Sequence, residues 1–149
     1  MAPGYRAVWE TQQSYEWFYI YGAIEPCSGR SVFWLLPALD KASVQFFLEQ
    51  LRQEVHGPMA LVWDGAPAHR ALEQAMPEQM TSVRLPAYCP ELNPVEGVWR
   101  MLRKKLANRV FDTLKQLEAA VIEALKTFWQ QPEVLISLTA FPWWRKALK

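Results

Sequence analysis

Two acids stand where a folded chain could bring carboxylates together. Asp64 closes the apolar run Met59-Ala60-Leu61-Val62-Trp63, and Glu96 falls one turn into a helix that Asn93-Pro94 can start. Open α/β sheets collect ligands outside the carboxyl ends of their strands, which is where Asp64 stands. Two carboxylates delivered there from different elements can share a hard, oxygen-liking cation such as magnesium or manganese. Each acid also has a plainer use, Asp64 as a strand-end cap and Glu96 as a first-turn acid favoured by the helix dipole. Composition and spacing do not choose between the two. A second chemical feature is the basic cluster Arg100, Arg103, Lys104, Lys105 and Arg109, on the helix of Glu96 and just beyond it. It reads as a solvated helix face or as a set of phosphate contacts. With a net charge of only +1, any nucleic-acid footprint must be local rather than a bulk effect.

The elements that must position these groups follow from periodicity and turn chemistry. Tyr15 to Ala23 is aromatic and β-branched, as a strand requires, and Glu25 to Gly29 supplies turn residues before a second strand at Ser31–Leu36. Pro37 and Asp40 end this hairpin. Ser43 then fits a helix N-cap, with Val44, Phe47, Leu48, Leu51 and Val55 at helical spacing. After Gly57-Pro58, the run Met59–Trp63 suits a strand buried on both faces, typical of a parallel sheet entered through a helical crossover. A helix over His69–Met76 and a short strand at Ser82–Leu85 follow. Three prolines then stiffen the loop from Pro86 to Pro94. Asn93 is a good N-cap and Pro94 fits a first turn. Val95, Val98, Trp99, Leu102 and Leu106 mark that helix's inner face. Asp112 or Thr113 can cap a second helix, with Leu114, Leu117, Val121, Leu125 and Phe128 on its stripe. The order β-β-α-β-α-β-α-α implies one mixed α/β domain over residues 1–130 and a tail over residues 131–149 that contains Trp143 and Trp144.

Composition narrows the class. Half of the 149 residues are apolar and eight are Trp, so a packed core is expected and disorder is not. Cys27 and Cys89 are far apart with no Cys/His cluster, which excludes a zinc ribbon. No apolar run reaches the roughly 18 residues of a membrane span, and the start lacks the pattern of a signal peptide. A cytoplasmic protein, nucleoid-associated in a prokaryote, is the expectation.

The words around the two acids are more specific than the acids themselves. Val62-Trp63-Asp64-Gly65-Ala66-Pro67-Ala68-His69 resembles the D-N-A-x-x-H signature of insertion-sequence transposases in the mariner-like superfamily. Leu85 to Trp99 looks like their L-P-x-Y-S-P-x-L-N-P-I-E-x-x-W signature, a long and ordered match. Tyr21 to Pro26, with Ser28-Gly29, fits the hairpin region of the same family. The resemblance covers nearly the whole chain and weakens after about Trp129.

This resemblance implies a DDE-type nuclease and strand-transferase of the ribonuclease-H-like fold, a mixed sheet flanked by helices. Three acids there hold two magnesium or manganese ions that activate a water or a 3′-hydroxyl at a scissile phosphate. On the matching positions Asp64 is the second acid and Glu96 the third, both metal ligands. Asn93 and Pro94 set the helix that aims Glu96, and Tyr88 with Pro90 shapes the preceding loop. His69 is either a structural histidine or one that touches the phosphate. The basic cluster beside the site would contact DNA at transposon ends and target.

Departures from the pattern are informative. The first acid and its central strand have no counterpart, because Met1 to Arg6 resembles the stretch that follows them. Neither Glu10 nor Glu16 has the matching context, and Asp40 precedes a helix. Gly65 replaces an Asn, and Cys89 a Ser. Two acids without the third imply weak metal binding. They leave a non-catalytic remnant that binds DNA or another subunit, or an interaction module whose acids merely cap elements, as competing readings. Inner strand edges left open by a missing strand imply self-association.

Overall fold

A computed structural model describes residues 17–147. Its first element is an antiparallel hairpin, β1 (Tyr19–Glu25) and β2 (Arg30–Leu36), with Tyr21 opposite Trp34 and Glu25 opposite Arg30. Gly29 turns the chain in the left-handed region, at φ +76°, which a side chain would resist. An ion pair of 2.6 Å between Arg30 and Glu25 closes the hairpin beside this turn. The first strand was expected over Tyr15–Ala23. The part before Trp17 lies outside the described residues, and the strand continues to Glu25.

Helix α1 (Lys41–Glu54) follows, capped by Asp40 rather than Ser43. The reason is local: Val44 already donates to the Asp40 carbonyl, so Ser43 lies inside the first turn and its N–H donates to Asp40 Oδ1 at 2.8 Å. At the other end the Arg52 guanidinium donates to the carbonyls of Val55, Gly57 and Glu78. One side chain thus fixes the approach to β3 (Met59–Trp63), which pairs in parallel with β4 (Met80–Arg84).

Between these strands the expected helix over His69–Met76 shrinks to α2 (Pro67–Arg70) and a series of turns. Pro77 disfavours helical backbone at Met76, and Leu72 and Ala75 already bond three residues back. Strand β4 begins two residues earlier than expected, at Met80, and ends one earlier, at Arg84. Helix α3 (Val95–Leu106) has the expected inner face, and α4 (Leu114–Gln130) packs its expected stripe into the core except for Leu114. Thr113 caps α4: its Oγ1 accepts from Gln116 N–H, and Gln116 Oε1 accepts from Asp112 N–H. The segment after residue 130, read as a tail, forms α5 (Pro132–Thr139) and α6 (Pro142–Ala147). Leu135 of α5 is fully buried beside α3 and α4, so this helix is part of the core.

Two cores share β2. Val32, Trp34 and Leu36 face α1, Trp63, Leu72 and Met80, while Phe33 and Leu35 face α3, α4 and α5. Among the described residues the strands form two separate two-stranded sheets, β1-β2 and β3-β4, rather than the expected single mixed sheet. Strand β3 is also less enclosed than its apolar sequence implies: only Trp63 is buried, and Ala60 is exposed. Neither β1 nor β3 has a second neighbour among the described residues.

Candidate active site

The structure brings Asp64 to the carboxyl end of β3 and Glu96 to the first turn of α3, and both line the same two adjoining cavities. The larger-mouthed cavity, about 490 Å³, runs along the Leu85–Pro90 loop. The other, about 470 Å³, is a groove between the edge of β1 and the edge of β3, with Trp99 and Trp144 on its walls.

Asp64 is exposed, but one of its oxygens is held. Oδ1 accepts from Ala66 N–H at 3.0 Å and lies 2.8 Å from His69 Nδ1. The same Nδ1 is 3.2 Å from the Asp64 carbonyl. Both neighbours are acceptors only, so Nδ1 must carry the hydrogen. The imidazole lies flat on Trp63, with ring centroids 4.5 Å apart and planes within 8°. Trp63 is in turn anchored by its N–H to Ser82 Oγ on β4 at 2.7 Å. His69 is thus locked by a ring on one side and held to Asp64 on the other. Asp64 Oδ2 forms no hydrogen bond among the described residues.

Glu96 is half-buried and is aimed by the start of α3. Asn93 has extended backbone, its Oδ1 accepts from Val95 N–H at 3.3 Å, and Pro94 already has helical angles. Glu96 and Gly97 N–H donate to the carbonyls of Asn93 and Pro94. Two glycines that sequence reasoning left without a role also place this helix. A Cβ on Gly97 would lie 2.7 Å from the Leu138 carbonyl oxygen of α5, and one on Gly22 would lie 2.9 Å from the Trp99 ring. Their lack of side chains lets α3 settle against α5 and β1 together. The signal for Gly97 was present: a glycine inside a helical pattern points to close packing.

Arg100, Arg103, Lys104 and Lys105 are all exposed on the later turns of α3. Arg100 and Arg103 follow Glu96 by four and seven residues, so they share its side of the helix, roughly 6 and 10 Å farther along the axis. Lys105 falls on the opposite side. Arg109, beyond the helix, lies 5.1 Å over the Phe111 ring. None of the five lines the two cavities. Tyr88 projects into solvent from the loop. No group of three or more His, Cys, Asp or Glu side chains is placed to hold a metal among the described residues. Glu10 and Glu16 lie outside them.

Residues 1–118 match the family described as DDE superfamily endonuclease. The chain belongs to this family. It is also 31% identical over 130 residues to "Uncharacterized protein y4pE/y4sA" of Sinorhizobium fredii (strain NBRC 101917 / NGR234), covering 85% of this chain and 96% of that one. No solved structure is significantly similar. A DDE endonuclease acts on DNA with divalent metal as a family, and Asp64 and Glu96 both lie inside the matched span. Among its described residues no helix is long and apolar enough to cross a membrane.

Proposed function

We propose that this DDE endonuclease chain is the ribonuclease-H-like catalytic core of a mariner-like insertion-sequence transposase, contributing two of three acids for metal-dependent DNA cleavage and strand transfer. The supporting observation is that Asp64 and Glu96, delivered by different elements, line the same two cavities. The donor set fits magnesium or manganese: two carboxylates, one with a free oxygen, and room for water and phosphate ligands. Asp64 and Glu96 would hold the metal, which would supply the Lewis acidity that phosphoryl chemistry needs. His69 and the Ala66 N–H keep Asp64 in one orientation. Asn93 and Pro94 aim Glu96, and the loop of Tyr88 and Pro90 forms the wall beside it. Arg100 and Arg103, with Lys104, Lys105 and Arg109 farther out, neutralise the phosphates of a duplex laid along α3. The remaining acid, the first of the family's three, belongs to a strand inserted between β1 and β3. The groove between these two open edges supports that placement, and such a strand would join the two sheets into one.

Manganese titration followed by Trp fluorescence tests the metal site, because Trp63 adjoins Asp64. Asp64→Asn and Glu96→Gln should each remove the quenching, with the fold intact by thermal melting. Unchanged quenching in both variants would sink the assignment. The DNA reading is tested separately: Arg100→Ala, Arg103→Ala and Lys104→Ala should each flatten the salt dependence of duplex binding by about one unit. A slope unmoved by all three would leave them a solvated face.

A second reading, a non-catalytic module that binds DNA or another subunit, is favoured by the lack of a three-ligand group among the described residues. The manganese titration separates the two: duplex binding with no metal-dependent quenching of Trp fluorescence supports the second, and quenching lost in Asp64→Asn supports the first.

A further inference from the structure

Tyr88 is the most anomalous residue beside the acids. Its ring is 100% exposed, and its backbone sits at φ +58°, in the left-handed region that bulky side chains avoid. The two observations are independent and point the same way. An aromatic ring gains nothing from the fold when no atom covers it, and the backbone that presents it is strained. The loop holds this conformation through its neighbours: Pro86 and Pro90 restrict the flanks, and Leu92 and Asn93 N–H bond back to Cys89 and Pro90.

The ring stands on the wall of the cavity of about 490 Å³ that Asp64 and Glu96 also line. The same cavity is lined by Arg70, exposed, whose guanidinium has no hydrogen bond or ion pair among the described residues. A free aromatic face, a free guanidinium and two carboxylates around one open cavity suit a nucleotide: base on the ring, phosphate on the arginine. Inside a duplex both faces of a base are covered by its neighbours. An interior base can meet Tyr88 only when it leaves the stack, at a frayed, overhanging or flipped position.

We infer that Tyr88, with Arg70, forms a subsite for an unpaired nucleotide next to the scissile phosphate, the tyrosine ring stacking on its base. This deepens the nuclease reading above and rests on it. It distinguishes Tyr88 from a residue that merely shapes its loop, because a shaping residue would touch the loop it shapes.

The test is binding of the full chain to two DNA hairpins of one sequence, one blunt and one carrying a three-nucleotide 3′ overhang with 2-aminopurine at its first position. The wild-type chain should prefer the overhang by about tenfold and quench the 2-aminopurine, the range expected for one stacked base. Tyr88→Phe should keep both effects. Tyr88→Asn should lose both, and it tolerates the left-handed backbone, so it should melt no lower than the wild type. Arg70→Ala should weaken binding of the overhang more than of the blunt hairpin. Equal binding of both hairpins, untouched by Tyr88→Asn, would overturn the subsite while leaving duplex binding intact. Failure to bind either hairpin would overturn the subsite and the DNA reading together.

Discussion

Strands β2 and β3 are both apolar, yet the structure treats them differently. β2 is buried from Val32 to Leu36, its alternate side chains entering two separate cores. β3 carries Met59-Ala60-Leu61-Val62-Trp63 but buries only Trp63, and its partner β4 leaves Val83 44% exposed. The difference lies in what covers them. Helix α1 packs on one face of the hairpin and α3, α4 and α5 on the other, whereas the crossover after β3 holds a single helical turn. Strand β3 is thus less enclosed by the described residues than its apolar sequence allows for. Among the described residues β1 and β3 each pair along one edge only, and the groove lies between their other edges.

The largest test of this contrast is truncation. Phe33→Ala or Leu35→Ala should cost about 3–5 kcal/mol, because each empties a fully buried position that α3 to α5 cannot refill. Leu61→Ala should cost under about 1.5 kcal/mol, since part of that side chain is already in contact with water. Urea denaturation of the three variants reads the contrast directly. Equal losses at Leu61 and Leu35 would mean that β3 is as enclosed as β2.

Smaller in effect is Gly97→Ala. The new methyl would meet the Leu138 carbonyl oxygen at 2.7 Å, backbone that cannot rotate aside. Overpacking of this kind costs about 1–3 kcal/mol. It should also shift Glu96, so manganese affinity should drop alongside stability. A Gly97→Ala chain with wild-type melting and metal response would remove α5 from the machinery that aims the site.

Much of this was legible in the sequence because it was written locally. The Asn93-Pro94 start of α3, the Thr113 cap of α4 and the parallel pairing after a crossover each rest on a few adjacent residues. The cap of α1 misled because Asp40 and Ser43 are both good caps, three residues apart, and only the first helical bond decides between them. The helix after His69 misled because Leu72 and Met76 have helical spacing, while Pro77 sets the backbone before it. The path of α5 and the contacts of Gly22 and Gly97 depend on residues distant in sequence. The same holds for the stack of Trp63 on His69: its members are visible in the motif, but their contact is not.

The smallest expected effects are in pH, and they sharpen the contrast between the two halves. Tyr21 on β1 is buried and donates its hydroxyl to the Ala38 carbonyl at 2.9 Å. Burial, helped by the nearby Asp40 carboxylate, pushes its pKa from 10.0 up to about 12. The folded state therefore prefers the neutral phenol. That contribution is complete below pH 10 and is lost as pH rises toward 12, because the unfolded chain ionises first. On the acid side Glu73 is held below its ordinary value by hydrogen bonds from Arg84, at 2.8 and 2.5 Å, which tie β4 to the turns after α2. Asp40 is lowered as well, by the Ser43 N–H that it accepts at the start of α1. For both carboxylates the contribution is present above the usual carboxylate range and is lost as pH falls below it. Among the described groups shifted within pH 3 to 12, the alkaline arm comes from the hairpin half and the acid arm from both halves. Melting temperature followed from pH 3 to 12 should show Tyr21→Phe flattening only the alkaline arm and Glu73→Gln only a minor part of the acid arm. The Glu73 effect should be slight, because the pair is partly exposed and water screens it. If Glu73→Gln removed most of the acid sensitivity, the β3-β4 half would be held by its surface ion pair more than by its core, and the contrast with β2 would be greater than burial indicates.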